Sequence, residues 1–277
     1  MNSGGGGDTA PVFGRGVEIL EVGPVYDYIS SGEVVDFQVK FQNIGDQDVE
    51  GITAVPYLLS WDGFEGEKDY NQLLYCPNPE LGREGARGTI TWEDVQVPAG
   101  LTRQDSFKMG VRLYYDYATI TTARVYALSS QAYAGYMERR QNPPTVMGVS
   151  NSMGPIQVDV SMDNVFITNA ANDEVPVTLK FRNVGNGYPQ QTGASAREYM
   201  ITSVDIEEIG SSGISAINTA DCDDVRMRGG MEGDCTVMVR VPDIDDKDLE
   251  IRLRIETKYT YVNVMERTIV VHPDLGG

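Results

Sequence analysis

The sequence predicts an all-β protein of two tandem immunoglobulin-like β-sandwich domains joined by a short helix, and three observations carry that reading. A strand-length block occurs twice, apolar and polar residues alternate with period two through much of the chain, and turn residues separate short runs at intervals of about 8 to 12 residues. The repeat is the strongest of the three, because it sets domain number independently of residue propensity. Val35–Gly45 (VDFQVKFQNIG) matches Val175–Gly185 (VPVTLKFRNVG) at an offset of 140, with Val, Lys, Phe, Asn and Gly identical.

Taken in order, residues 1–12 read as a leader: Ser3–Asp8 is SGGGGD, with no side chain large enough to offset the entropy of ordering. Residues 13–128 form the first predicted module. It opens with Gly16–Leu20 and continues into the repeated strand, where Val35, Phe37, Val39 and Phe41 share one face. The Asn-Ile-Gly that ends this strand, like Asn-Val-Gly in its copy, predicts a turn of positive φ. Val111–Tyr117 and Ala123–Leu128 then predict a closing hairpin, and Ile255–Tyr261 with Arg267–Val271 predicts the same at an offset of 144. Tyr115 and Tyr117 thereby correspond to Tyr259 and Tyr261, with a structural role resembling a tyrosine corner or, as an alternative, a carbohydrate-stacking surface.

Residues 129–152 predict a helix capped by Ser130 and ending at Arg139–Arg140, where cations suit the helix dipole. Tyr133 and Tyr136 would share one face of it, Asn142-Pro143-Pro144 stops it, and Thr145–Ser152 reads as a polar linker. The second module spans 153–277 and repeats the order of the first.

Composition narrows the function. The formal net charge is −19, from 41 Asp and Glu against 22 Lys and Arg, which disfavours nucleic acid and anionic lipid as partners. No stretch is apolar enough to cross a membrane as a helix. Three cysteines and one histidine are too few for a zinc site. Cys222 and Cys235 favour a disulfide across a hairpin-sized loop, and hence an oxidising compartment, over a pair of buried thiols. His272 has no Ser or Cys partner in a recognisable catalytic pattern, so the chain reads as a non-enzyme. A paired-carboxylate glycosidase has no distinguishable pair among so many acids.

Two candidate sites remain. The connection Ser60–Gly88 is long for a sandwich and carries Trp61, Phe64, Tyr70 and Tyr75, which form either a binding loop or a cap on the open end of the first core. Gly187–Arg197 is its less aromatic counterpart. Asp243, Asp245, Asp246 and Asp248 offer hard oxygen ligands for calcium, although they lack the EF-hand pattern and read first as a solvated turn, as does Asp221–Asp224; no other cofactor is implied.

The run VVDFQVKFQNIGDQDVEG, with its counterpart VPVTLKFRNVGNG, resembles CARDB-type adhesion-related β-sandwich domains, and the whole arrangement resembles two-module archaeal surface lipoproteins. The resemblance implies a Gly- and Ser-rich leader behind a lipid anchor, a YxYxT segment at Tyr115–Thr119, a cysteine pair in the second module, and a place outside the cell. It implies protein contacts with other envelope components or with itself. The expected function is a structural or adhesion module; the alternative is a subunit that self-assembles into a filament, surface layer or virion.

Overall fold

The computed structural model describes residues 16–162, 165–168, 173–192, 197–210, 214, 216–242, 244 and 248–273. The fold is mostly β, in several sheets, with one α-helix among the described residues. In chain order the elements are β1 (Val17–Pro24), β2 (Ile29–Ser30), β3 (Val34–Asn43), β4 (Ile52–Tyr57), β5 (Lys68–Tyr70), β6 (Arg87–Gln96) and β7 (Asp105–Ser129). Helix α1 (Ser130–Glu138) follows, and then β8 (Val146–Asn151), β9 (Ile156–Ser161), β10 (Phe166–Thr168), β11 (Glu174–Asn183) and β12 (Tyr188–Gln190). The chain continues through β13 (Ser203–Glu208), β14 (Ala216–Asn218), β15 (Glu232–Arg240) and β16 (Asp248–His272).

The organising feature is a pair of strands of 25 residues each, β7 and β16. They run antiparallel from Asp248 opposite Leu128 to Val271 opposite Asp105 with no register shift. The predicted closing hairpins are therefore absent: Tyr115–Thr119 and Tyr259–Asn263 lie in mid-strand, and each long strand continues straight through. Along β7 the odd positions from Met109 to Ala127 are buried, and along β16 those from Ile251 to Asn263. Because the pairing joins odd to odd, these rows form one face of a single long sheet.

That face carries two smaller sheets side by side. One has the order β1-β3-β6 and the other β14-β15-β11-β9. The repeated strands β3 and β11 are central in their sheets, and Phe41 and Phe181 are fully buried as their alternation predicts. The long sheet is completed by β4 and β5 beside the first half of β7, by β8 and β10 beside its second half, and by β12 and β13 beside β16. Strand β2 pairs in parallel with the end of β16, and β10 pairs in parallel with the end of β7.

Each lobe thus receives its last strand from the other. The first half of β7 lies over β1-β3-β6, while its second half lies over the other small sheet; β16 does the reverse. The two strands obey a local twofold relation. Tyr115 corresponds to Tyr259 by the offset of 144 and faces Tyr261; Tyr117 corresponds to Tyr261 and faces Tyr259. The axis passes through the facing pair Asp116 and Thr260, whose side chains are hydrogen-bonded at 2.6 Å.

Three further expectations are corrected. The helix is capped by Ser129, not Ser130: the Ser129 hydroxyl accepts from the Ala132 amide at 3.1 Å, one residue earlier because β7 runs directly into the helix. Helix α1 buries none of its residues, so the face predicted to carry Tyr133 and Tyr136 packs into no core. Tyr136 instead donates to Asp248 at 2.9 Å and lies under the Arg139 guanidinium. The polar linker is in fact strand β8, with Thr121 opposite Asn151 and Val125 opposite Val146, because the outer edge of β7 offers it unpaired backbone groups.

Candidate functional site

At the centre of the molecule the four tyrosines form a ring. Centroid separations are 6.2 Å for Tyr115–Tyr117 and Tyr259–Tyr261, 5.9 Å for Tyr115–Tyr261 and 6.4 Å for Tyr117–Tyr259. Every hydroxyl is spent on holding a lobe. Tyr115 accepts from the Val17 amide and Tyr259 from the Ile156 amide, so each fastens the first strand of one lobe. Tyr117 accepts from the Asp46 amide and Tyr261 from the Gly187 amide, fastening the loops that follow the repeated strands. Burial holds the Tyr115, Tyr117 and Tyr259 hydroxyls well above the usual phenol range, with Asp46 adding to the effect at Tyr117. These groups are proton-bearing structural donors and acceptors, closed to a stacking sugar.

The identical Asn and Gly of the repeat have the same explanation. Asn183 is buried and makes four hydrogen bonds: it donates to the Gly187 and Gly230 carbonyls at 2.7 and 2.9 Å, and accepts from the Gly185 amide at 3.0 Å and the Tyr261 hydroxyl at 2.9 Å. Asn43 donates to the Gln47 and Leu74 carbonyls and accepts from the Gly45 amide. Neither Gly45 nor Gly185 has a positive φ. Glycine is required by proximity, since a Cβ would lie 2.4 Å from the Tyr117 hydroxyl at Gly45 and 2.4 Å from the Tyr261 hydroxyl at Gly185.

The candidate aromatic loop is dispersed. Trp61 and Phe64 are 7% and 1% exposed and pack with Phe37, Trp92 and Phe107, closing the end of the first core. Tyr70 lies on β5 with its ring against the edge of Phe41. Tyr75 alone is well exposed, at 60%. Cys222 and Cys235 form a disulfide with their Cα atoms 5.2 Å apart, tying the turn before β15 to that strand. Cys76 is free, and partial burial with the Asp48 carboxylate raises its thiol pKa. His272 is half-buried and stacked on Tyr28 at 4.4 Å.

Asp243, Asp245 and Asp246 lie outside the described residues. Asp248 opens β16 and accepts from Tyr136. Among the described residues no three His, Cys, Asp or Glu side chains are grouped to hold a metal ion.

What is presented to the surroundings is the even-numbered face of the long sheet and its edges. Lys258–Asp205, Arg254–Glu207, Arg254–Glu256 and Arg252–Glu250 form a ladder of ion pairs at 2.7–3.2 Å. Two shallow clefts of about 320 and 310 Å³ flank it, the first floored by the facing Arg124 and Arg252 and the second by Arg254 and Glu256. Tyr57 crosses over Gly110 to donate to Glu266 at 3.0 Å, and burial with that carboxylate pushes its pKa up to about 12. The alternation of β16 signalled this face. The edge of the strand gave no signal of its own, because edge position depends on which neighbours pair. No protein-family model matches the chain, and no curated protein sequence matches it.

Proposed function

We propose that this protein is a non-catalytic structural or adhesion module of the cell surface or secreted space. In this reading it is a pair of immunoglobulin-like sandwiches that exchange their last strands and act as one rigid spacer. The observation that carries the proposal is the unbroken β7–β16 ladder, which passes through both lobes and leaves no linker about which they could swing. Parallel pairing of a short second strand with the last strand of each lobe supports the immunoglobulin-like assignment. The resemblance of the repeated strand to CARDB-type domains supports adhesion, and the Cys222–Cys235 disulfide supports an oxidising location.

Function then consists of presenting loops, a charged sheet face and strand edges at fixed separation to neighbouring envelope proteins. The test is labelling of intact source cells with a membrane-impermeant amine reagent, paired with non-reducing mass spectrometry of the native protein. Labelling together with an intact Cys222–Cys235 bridge is expected. Complete protection with reduced thiols would overturn the proposal.

A further inference from the structure

The local twofold relation between β7 and β16 does not extend to every neighbouring strand: β12 lies beside Thr260–Val262 with no counterpart on β7, and β8 lies beside β7 with no counterpart on β16 among the described residues. On the outer side of β7 the even residues direct their backbone groups away from β16: the Ile120 carbonyl accepts from the Ser152 amide, and the Tyr126 amide donates to the Thr145 carbonyl. Strand β8 covers this stretch, with Ser150 opposite Thr122 and Met147 opposite Arg124. The offset of 144 carries Ile120, Thr122, Arg124 and Tyr126 onto Val264, Glu266, Thr268 and Val270. On β16, too, even residues point outward, since the Arg252, Lys258 and His272 carbonyls accept from Ile209, Thr202 and Ser31. Strand β12 begins opposite Val262 and runs away toward Thr260, and β2 begins opposite Val271. Between them no strand pairs with the outer side of Val264–Val270 among the described residues.

We propose that this edge is a dimerisation site, where β16 of a second copy of the chain adds antiparallel and continues the long sheet. The proposal deepens the structural reading above by naming its partner, and rests on that reading. Three observations favour a second copy. The edge has no proline, lysine or bulge, and its charged residues are Glu266 and Arg267 alone. Arg267, the one cation in the stretch, is turned back onto the Val22 carbonyl, Glu21 and Asp27. Val264, paired with Arg112 on its inner side and with no strand on its outer side among the described residues, is 41% exposed.

The edge is also self-complementary. With the twofold axis at Arg267, Val264 faces the copy's Val270 and Glu266 faces its Thr268, so all four outward residues exchange backbone bonds, about eight in total. The two Arg267 side chains come opposite one another, each already neutralised within its own chain. An axis at Glu266 would oppose two carboxylates, and an axis at Thr268 would call on His272, whose carbonyl is already taken by Ser31.

The test is sedimentation velocity of the whole chain across concentration and salt, with cysteine cross-linking for register. Because each copy carries a net charge of −19, the dimer should tighten about tenfold as salt rises from about 0.05 to about 0.5 M. Thr268→Pro removes only an outward amide, and Val264→Lys with Val270→Lys places charge on the edge; both are expected to leave a monomer with unchanged melting. Val264→Cys plus Val270→Cys, in a Cys76→Ser background, should oxidise to a covalent dimer, whereas Val264→Cys alone should not. A monomer under all conditions with no cross-link would overturn the dimer, as would higher oligomers, or a dimer that forms only after residues 1–15 are removed. None of these outcomes bears on surface labelling of intact cells, so the structural reading stands or falls separately.

Discussion

Replacing Asn183 with Ala tests both the lock at the end of the repeated strand and the coupling between lobes. The substitution removes four hydrogen bonds at once, stranding the Gly187 and Gly230 carbonyls and the Gly185 amide and taking the Asn183 acceptor from the Tyr261 hydroxyl, in a site where the side chain is buried. At about 1 kcal/mol of net stability per bond, the loss is about 4 kcal/mol. For a chain of this size, each kcal/mol moves the melting temperature by about 2–4 °C, so a fall of roughly 10 °C or more is expected. Differential scanning calorimetry reads a second consequence. Because β7 and β16 each contribute to both lobes, Asn183→Ala in the second lobe should shift one cooperative transition that includes the first. A loss below about 1 kcal/mol would refute the role assigned to the amide. Two peaks, one shifted and one unmoved, would refute the coupling.

Other outcomes follow from the same geometry. Gly45→Ala places a Cβ 2.4 Å from the Tyr117 hydroxyl and should cost about 2 kcal/mol in a denaturant midpoint; in the double variant with Tyr117→Phe the two effects should fall short of additivity by about 1 kcal/mol, and strict additivity would refute the contact. Reducing Cys222–Cys235, which spans 13 positions, should lower stability by about 3 kcal/mol in urea unfolding with and without reductant; no change would contradict the constraint assigned to it. Tyr57 and Tyr188 are both raised to about 12, and Tyr117 and Tyr259 are raised further. Groups whose folded pKa is raised stabilise the fold below the unfolded value near 10 and lose that contribution as pH rises. The urea midpoint should therefore hold below about pH 9 and fall between about pH 10 and 12, and a midpoint that rises in that window would refute the buried ring.

Much of this was legible in the sequence. Alternation placed Val35, Phe37, Val39 and Phe41 on a buried face, the repeat paired β3 with β11, and the cysteine spacing identified the disulfide. The aromatic loop was misleading because Trp61 and Phe64 have the same composition whether they face solvent or seal a core, and only the gap left beside Phe37 decides which. Strand β8 was hidden because Val146–Asn151 is polar and Gly-containing, and its conformation comes from the edge it covers. The straight course of β7 did leave a trace. Every odd position from Met109 to Ala127 is buried, and Gly110 alone of the even ones, with no change of phase, so the pattern itself carries no sign of the turn expected after Thr119.

That unbroken phase also explains why the lobes exchange strands. A two-residue hairpin turn needs positive φ at one or both central positions, and Gly, Asn or Asp supply it at least cost. At the midpoints of the long strands the residues are Tyr114-Tyr115-Asp116-Tyr117-Ala118-Thr119 and Lys258-Tyr259-Thr260-Tyr261-Val262. The first segment has one Asp flanked by aromatic rings; beside the second the nearest such residue is Asn263, which is buried with its side chain donating to the Val17 carbonyl, and both segments are rich in strand-forming types. Folding back at these midpoints would turn Tyr115, Tyr117, Tyr259 and Tyr261 into hairpin corners and separate rings that now contact across the axis. Running straight keeps them in a strand and lets each hydroxyl reach a lobe's backbone. The exchange is thus written into the absence of turn residues as much as into the presence of tyrosines. Inserting Asn-Gly after Asp116 and after Thr260 should allow each strand to fold back. The variant should then resolve into two calorimetric transitions, and a single transition in it would place the cause of the exchange elsewhere.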